Sequence, residues 1–98
     1  MAVLVFITWR EATREQYEQI RGEVDWANMR PSGANLHMSS FDESGGLHVV
    51  DHWDSAEQFQ TFIEQKIGPA AQRFGITTQP EVAIYPVAYI DQFDKLAT

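Results

Sequence analysis

Residues 47–67 read LHVVDHWDSAEQFQTFIEQKI, and this stretch decides how the chain folds. The segment Leu47–Trp53 is rich in β-branched and aromatic residues and predicts a strand. Asp54 follows directly and is placed to cap a helix, with Glu57 three residues later to complete a capping box. After this cap, apolar side chains recur at helical spacing, at Phe59, Phe62, Ile63 and Ile67. The stretch therefore predicts a strand that leads directly into a helix.

A second strand-to-helix unit stands at the start of the chain. Val3–Ile7 is a continuous apolar run, which is typical of a strand buried on both faces. Thr13 and Gln16 have capping-box spacing, and an amphipathic helix follows, with apolar positions at Tyr17, Ile20 and Val24. Gly22 weakens this helix by roughly 1 kcal/mol relative to alanine. A glycine at that position is consistent with the close approach of another element.

The remaining elements complete a β-α-β-β-α-β order. Residues 35–42 alternate loosely and 43–46 form a turn, so residues 35–42 and 47–53 predict a hairpin. Gly68 and Pro69 stop or kink the second helix. Val82–Ala88 is the last strand, in which Pro86 restricts the later half to an edge or a bulge. This order predicts one ferredoxin-like α+β domain over residues 1–98, with two helices on one face of a four-stranded antiparallel sheet.

The sheet face away from the helices is also apolar. The first, third and last strands carry apolar residues at both parities, for example Phe6 beside Val5 and Val50 beside Val49. Exposed apolar patches above roughly several hundred Å² usually mark interfaces. We therefore expect a second copy of the chain to cover this face, giving a homodimer through the sheet faces.

Charge and composition exclude several classes of partner. Seven Lys and Arg residues stand against 14 Asp and Glu residues, for a net charge of -7, so neither nucleic acid nor an anionic membrane is an expected partner. The apolar segment 2–8 is too short to span a bilayer and lacks the basic flank of a signal peptide. The chain has no cysteine, which excludes disulfides and thiolate chemistry. These features are compatible with a cytoplasmic location, which is our expectation.

Together these residues resemble a known superfamily. Val50-Asp51-His52-Trp53 with Asp54-Ser55 after it, then Gly68-Pro69-Ala70, then Val82–Val87, are similar to the dimeric α/β-barrel proteins of the antibiotic-biosynthesis-monooxygenase-like group, in particular its small uncharacterised members. The resemblance covers nearly the whole chain. It implies that two βαββαβ chains pack sheet against sheet, each with a small pocket between its sheet and its helices. Members of the group include cofactor-independent monooxygenases of polycyclic phenols, haem-degrading enzymes and isomerase-like enzymes.

Two residues of the third strand are candidates for the site. Asp51 and Trp53 are two positions apart, so they share one face of the strand. The resemblance implies that Trp53 lines the pocket, and we expect further substrate contacts from the helices, at Tyr17, Phe59 and Phe62. A buried Asp51 could exchange a proton with a phenolic substrate. The structural alternative is a carboxylate bonded to the backbone or to an arginine, beside a core tryptophan.

His37 is the second candidate catalytic residue. If the hairpin pairs Phe41 with Leu47, His37 lies opposite Asp51 on the same face of the sheet. A histidine beside a carboxylate in a pocket is a credible proton-transfer pair. A slip of one residue in the hairpin would remove this pairing, because it moves every side chain to the other face.

No resident cofactor is expected from the sequence. His48 and His52 share the opposite face, but positions four apart on a strand are separated by about 13 Å and cannot chelate one ion. The second helix contains no histidine that could bind haem, and no nucleotide-binding motif is present. We therefore expect no tightly bound metal, flavin or haem.

Two classes of function fit this sequence. The first is a cofactor-independent oxygenase or an isomerase-like enzyme acting on a small aromatic ligand, with Asp51 or His37 removing a proton. The second is a non-catalytic dimeric module that binds a small molecule or another protein. The character of the pocket discriminates between the two, because polar groups that converge in an apolar cavity favour ligand chemistry.

Overall fold

The order of elements is the one predicted, in a computed structural model that describes residues 1–26 and 28–93. The elements are β1 (Val3–Trp9), α1 (Arg14–Val24), β2 (Ala34–Phe41), β3 (Leu47–Trp53), α2 (Ala56–Phe62), a π-helical turn (Ile63–Ile67), α3 (Gly68–Arg73) and β4 (Glu81–Pro86). The strands form one antiparallel sheet in the order β2-β3-β1-β4, which places β1 and β3 at its centre. The helices pack on one face of this sheet and bury the core there.

The register of the β2–β3 hairpin confirms the pairing on which the site prediction depended. Phe41 pairs with Leu47, and His37 pairs with Asp51. The only irregularity in this ladder lies between Ala34 and Leu36, before His37 is reached. Because side chains alternate along a strand, this register places His37 and Asp51 on the same face.

Asp42 fixes the turn of this hairpin. Its Oδ1 accepts the backbone N–H groups of Ser44 and Gly46 at 2.9 and 3.0 Å. Its Oδ2 lies 2.7 Å from Nε2 of His48. The bond to His48, followed by those from the turn backbone, holds the pKa of the Asp42 carboxyl below its ordinary value of 3.8. These bonds therefore stabilise the folded hairpin fully at pH values above the ordinary pKa of 3.8. The stabilisation is lost as the pH falls through the lowered pKa of the Asp42 carboxyl.

Alternate residues of the central strands face the helices or the uncovered side of the sheet. Val5 of β1 is fully buried under the helices, whereas Phe6 is 41% exposed on the other face. On β3, four residues at alternate positions are buried towards the helices, namely Leu47, Val49, Asp51 and Trp53. The uncovered face is the one that carries Phe6 and, two strands away, Met38. The sheet thus has one packed face and one partly apolar, exposed face.

The helix caps follow the sequence at one helix and depart from it at the other. The predicted capping box of Thr13 and Gln16 opens α1. The predicted cap of α2 by Asp54 and Glu57 is wrong, because Ser55 is the N-cap and its hydroxyl accepts the N–H of Gln58. Asp54 instead bonds to β2, where its carboxylate accepts a hydrogen bond from the side-chain amide of Asn35 at 2.9 Å.

The second helical region continues past the predicted break at Gly68 and Pro69. The N–H of Gly68 bonds to the carbonyl of Ile63, which closes the π-helical turn, and α3 then begins. Pro69 lies in the first turn of α3, directly after the π-helical turn. The proline therefore marks a change of helical pitch rather than an end. No helix within residues 1–26 and 28–93 is long and apolar enough to cross a membrane.

Two glycine substitutions test the local backbone. An added Cβ at Gly22 would meet nothing within 4 Å, so the expectation of a close approach there is wrong. Gly33 has φ +87, and its Cβ would stand 2.5 Å from the side chain of Gln58. We expect Gly22→Ala to raise the free energy of unfolding by roughly 1 kcal/mol through helix propensity. Gly33→Ala should lower it by roughly 1–2 kcal/mol, because alanine disfavours the left-handed region.

Urea denaturation of both variants and the parent measures these differences. The two substitutions add the same methyl group, so each serves as the control for the other. Equal effects of the two substitutions on the free energy of unfolding would contradict this account of the backbone.

Candidate functional site

A cavity of about 730 Å³ lies between the sheet and the helices. The core is divided into two clusters, one around Trp9, Tyr17 and Leu47 and the other around Trp53 and Phe59. Members of both clusters line the cavity, which is the unfilled space between the helices and the sheet. Its volume is in the range of sites that bind drug-sized ligands, about 300–1,000 Å³. Most of its wall is aromatic or aliphatic.

Four side chains form a hydrogen-bonded chain that begins at the wall of this cavity, where three of them are lining residues. The hydroxyl of Tyr17 is 2.6 Å from Nε2 of His37. Nδ1 of the same ring is 2.6 Å from Oδ1 of Asp51. Nε1 of Trp53 donates to the other carboxylate oxygen of Asp51 at 3.0 Å. We call Tyr17, His37, Asp51 and Trp53 the polar chain.

Asp51 is the buried centre of the polar chain. It is 2% exposed, and it is the one charged residue among the buried residues that the structure describes. Each of its oxygens has one donor, so the cost of removing the carboxylate from water is offset by two hydrogen bonds. Removing one member of such a buried pair costs roughly 3–5 kcal/mol. The expected structural alternative, a bond to an arginine or to the backbone, does not describe Asp51, whose hydrogen-bond partners among the described residues are His37 and Trp53.

The partners of His37 assign the tautomer of its ring. A carboxylate only accepts hydrogen bonds, so the ring proton lies on Nδ1, where it is donated to Asp51. Nε2 is then the acceptor, and the Tyr17 hydroxyl donates to it. The His37 side chain is 14% exposed. The arrangement is that of a base whose orientation is fixed by a carboxylate, a geometry suited to proton abstraction.

Trp26 is a member of the site that the sequence reasoning did not identify. Its ring stacks on that of His37, with centroids 4.1 Å apart and an interplanar angle of 10°. It also meets Phe62 edge to face at 4.9 Å. Trp26 lies in the connection after α1, where no hydrophobic periodicity assigns a face, and an aromatic residue in a loop was the one available signal. Its indole N–H is buried without an acceptor among the described residues.

The predicted substrate contacts divide into two groups. Tyr17, Phe59 and Phe62 line the cavity, as expected for residues that could contact a ligand. Trp53 is not on the cavity wall, which corrects the placement implied by the resemblance. It is 1% exposed and lies against the rings of Phe59 and Phe62, at centroid distances of 5.7 and 5.5 Å. Its place is behind the wall, where it supports Asp51.

The two other histidines lie on the uncovered face of the sheet, away from the cavity. His48 is bonded to Asp42 in the hairpin turn. Nε2 of His52 is buried and has no hydrogen-bond partner among residues 1–26 and 28–93. Within the same residues, no three His, Cys, Asp or Glu side chains are grouped so that they could hold a metal ion.

Comparison with known proteins shows what this architecture is similar to. No protein-family model and no curated protein matches the sequence. Among solved structures, a protein of unknown function from Nitrosomonas europaea, NE2512, is 11% identical with a TM-score of 0.71, over 96% of each chain. A provisionally assigned antibiotic biosynthesis monooxygenase from Deinococcus radiodurans is 17% identical, with a TM-score of 0.63, over 95% of this chain and 98% of that one.

A third solved structure of this kind has an established activity. SnoaB, a cofactor-independent oxygenase from Streptomyces nogalater, is 12% identical with a TM-score of 0.63, over 91% of this chain and 94% of its own. At such identities the likeness is one of fold. This protein therefore has the ferredoxin-like α+β fold of the antibiotic-biosynthesis-monooxygenase-like proteins.

Proposed function

We propose that this protein is a cofactor-independent monooxygenase of a small, largely apolar aromatic phenol, with His37 as the base. The observation that carries the proposal is the position of His37, whose Nδ1 is held by the buried carboxylate of Asp51 at the wall of an apolar cavity. The fold shared with SnoaB, a cofactor-independent oxygenase, supports the same reaction class. The aromatic residues of the wall favour a flat, aromatic ligand.

The proton route in this proposal passes through Tyr17. The Tyr17 hydroxyl donates to Nε2 of His37. A ligand that approaches this nitrogen from the cavity therefore meets the Tyr17 hydroxyl first. The substrate proton moves to the Tyr17 oxygen as the Tyr17 proton moves to Nε2. His37 then carries a positive charge, which Asp51 stabilises across the 2.6 Å bond.

The oxidant in the proposed reaction is molecular oxygen. Loss of a proton from a methylene group conjugated with phenolic rings leaves a carbanion, and its carbon forms a bond to O₂. The resulting peroxide anion takes the proton back from the His37–Tyr17 pair. Loss of water then leaves a ketone, so the methylene group and O₂ become a carbonyl group and H₂O. An isomerase-like reaction would use the same base, with the proton returned to another carbon and no oxygen consumed.

A second function, that of a non-catalytic binding module, is favoured by one feature of the site. Both nitrogens of His37 have partners, and Trp26 covers one face of its ring. A fully satisfied polar network of this kind also serves to fix the packing of a core. In that case the cavity binds a ligand and leaves it unchanged.

Oxygen uptake with anthrone separates the two functions. Anthrone has an acidic methylene group conjugated with aromatic rings, and its oxidation to anthraquinone consumes one O₂ and releases one H₂O. We expect turnover that His37→Gln lowers roughly 100-fold or more, since a positioned base contributes about 10²–10⁴-fold. Tyr17→Phe should also lower kcat, whereas Tyr85→Phe, on the uncovered sheet face, should not. Binding of anthrone without oxygen uptake above the uncatalysed rate would establish the binding module instead.

The tautomer of His37 tests the role of Asp51 directly. In Asp51→Asn the amide oxygen must still accept from Trp53, so the NH₂ group faces Nδ1 of His37. We expect the ring proton to move from Nδ1 to Nε2, which removes the acceptor from Tyr17. Nitrogen-15 NMR of the imidazole reports which nitrogen is protonated. The control is Asp54→Asn, which makes the same change at an exposed carboxylate three residues later in the chain. An unchanged tautomer in the Asp51 variant would show that Asp51 does not orient the base.

We also propose that two copies of the chain associate through the uncovered face of the sheet. The face carries exposed apolar residues on three strands, including Phe6, Met38 and Tyr85. Phe6 and Tyr85 already contact each other edge to face, at 6.0 Å between centroids. Isologous contact between two such faces would bury these side chains in a closed dimer.

Sedimentation at micromolar concentration tests the dimer. We expect about twice the chain mass of 11.2 kDa for the parent protein. Phe6→Glu places a charge on the apolar face and should yield monomers. Ser39→Glu adds the same charge to an exposed position on the helix side of the sheet and should leave the dimer intact. A parent protein that sediments as a folded monomer would refute this assembly.

A further inference from the structure

The charges that line the cavity are all of one sign. Among the described residues, the lining includes two carboxylates, Asp51 and Glu64, and neither lysine nor arginine. Asp51 is buried and held by His37 and Trp53. Glu64 is exposed, and no salt bridge in the described part of the chain involves it. Glu64 is therefore the solvent-exposed carboxylate that a ligand bound in the cavity would contact.

The cavity changes from apolar to polar towards solvent. Its buried wall is formed by side chains such as Ile20, Val49 and Phe59. Its exposed lining residues are mostly neutral and polar, and we call five of them the mouth: Gln60, Glu64, Gln72, Thr77 and Gln79. A ligand that fills this space has an apolar ring system inside and a hydrogen-bonding group at the mouth.

The π-helical turn positions Glu64 at the mouth. Glu64 is the second residue of that turn and lies four positions after Gln60, so the two side chains emerge on the same side of the helical region. Gly68 and Pro69, which follow the turn, also line the cavity and carry little side chain. Turns of this kind occur frequently at functional sites. Here the turn brings a single acidic group to an otherwise neutral rim.

We propose that the cavity selects its aromatic ligand by charge: it accepts an amine-bearing aromatic compound and disfavours the carboxylate analogue, with Glu64 as the specificity-determining residue. This inference rests on the proposed function, in which the cavity binds a small aromatic ligand. An ammonium group at the mouth would pair with Glu64, whereas a carboxylate would face Glu64 with no lysine or arginine among the lining residues to offset the repulsion. The amides and the hydroxyl of the mouth are neutral and serve either ligand, so they do not alter the order of affinity.

The net charge of the whole chain acts in the same direction and must be separated from the local effect. At a net charge of -7, any cation is attracted and any anion repelled at long range. Glu18 provides a matched control, because it is exposed on α1 and is not among the lining residues. Glu64→Gln and Glu18→Gln change the net charge equally, and only the first changes the mouth.

The experiment compares three probes that share one ring system: 2-naphthylmethylamine, 2-naphthylmethanol and 2-naphthoate. Their dissociation constants are measured by titration calorimetry with the parent protein and both variants, at low ionic strength and in 0.5 M NaCl. We expect the amine to bind most tightly and the carboxylate most weakly. Glu64→Gln should reduce the amine-to-alcohol preference by roughly 2- to 5-fold, as expected for a solvent-exposed charge pair, and Glu18→Gln should leave it unchanged.

The added salt and a charge reversal give two further readouts. Salt should reduce the preference in the parent protein, because an exposed pair is screened. Glu64→Lys should reverse the order of the amine and the carboxylate. A carboxylate that binds as tightly as the alcohol, or equal effects of the Glu64 and Glu18 variants, would overturn the inference. Failure of 2-naphthylmethanol to bind the parent protein would instead contradict the aromatic-binding cavity of the proposed function.

Discussion

A carboxylate in an apolar core must be given hydrogen-bond donors, and the packing around Asp51 is arranged to supply them. Trp53 donates from the same strand and His37 from the neighbouring one. Removing the donor of either oxygen would cost roughly 3–5 kcal/mol, which is a large part of the roughly 5–15 kcal/mol by which a small domain is stable. The register of β2 against β3, the side of the sheet that receives the helices and the orientation of His37 are therefore linked through one buried group.

The cavity follows from the same constraint. Trp53 donates to Asp51 and packs against the rings of Phe59 and Phe62. Its indole ring therefore lies behind the cavity wall and does not fill the cavity. Tyr17 extends from α1 to His37, and its hydroxyl bonds to the ring at the cavity wall. The two core clusters are consequently joined only through partly buried residues such as Ile7 and Ile67.

The ring of His37 is held by three contacts of different kinds. Asp51 fixes its tautomer, Trp26 fixes the plane of the ring, and Tyr17 connects it to the cavity. Each contact restrains a different degree of freedom, so the ring is held in one geometry. The proposed proton transfer would depend on this preorganisation, because a misplaced base loses most of its effect.

The sequence by itself determined the order of elements, the face that Asp51 and Trp53 share, and the capping box of α1, because each depends on residues close together in the chain. It also offered the pairing of His37 with Asp51 as one register of the hairpin, and this is the register that the structure adopts, with Asp42 bonded to the turn backbone. Local patterns misplaced the cap of α2, because the carboxylate of Asp54 accepts a hydrogen bond from Asn35 of the neighbouring strand β2 and does not cap the helix. Only the tertiary structure decided that Trp26 stacks on His37, that Tyr17 bonds to it, that Trp53 lies behind the cavity wall and that Glu64 stands at its mouth. These placements depend on contacts between different elements of the fold, and they follow from how the helices pack on the sheet, which no periodicity in the chain encodes.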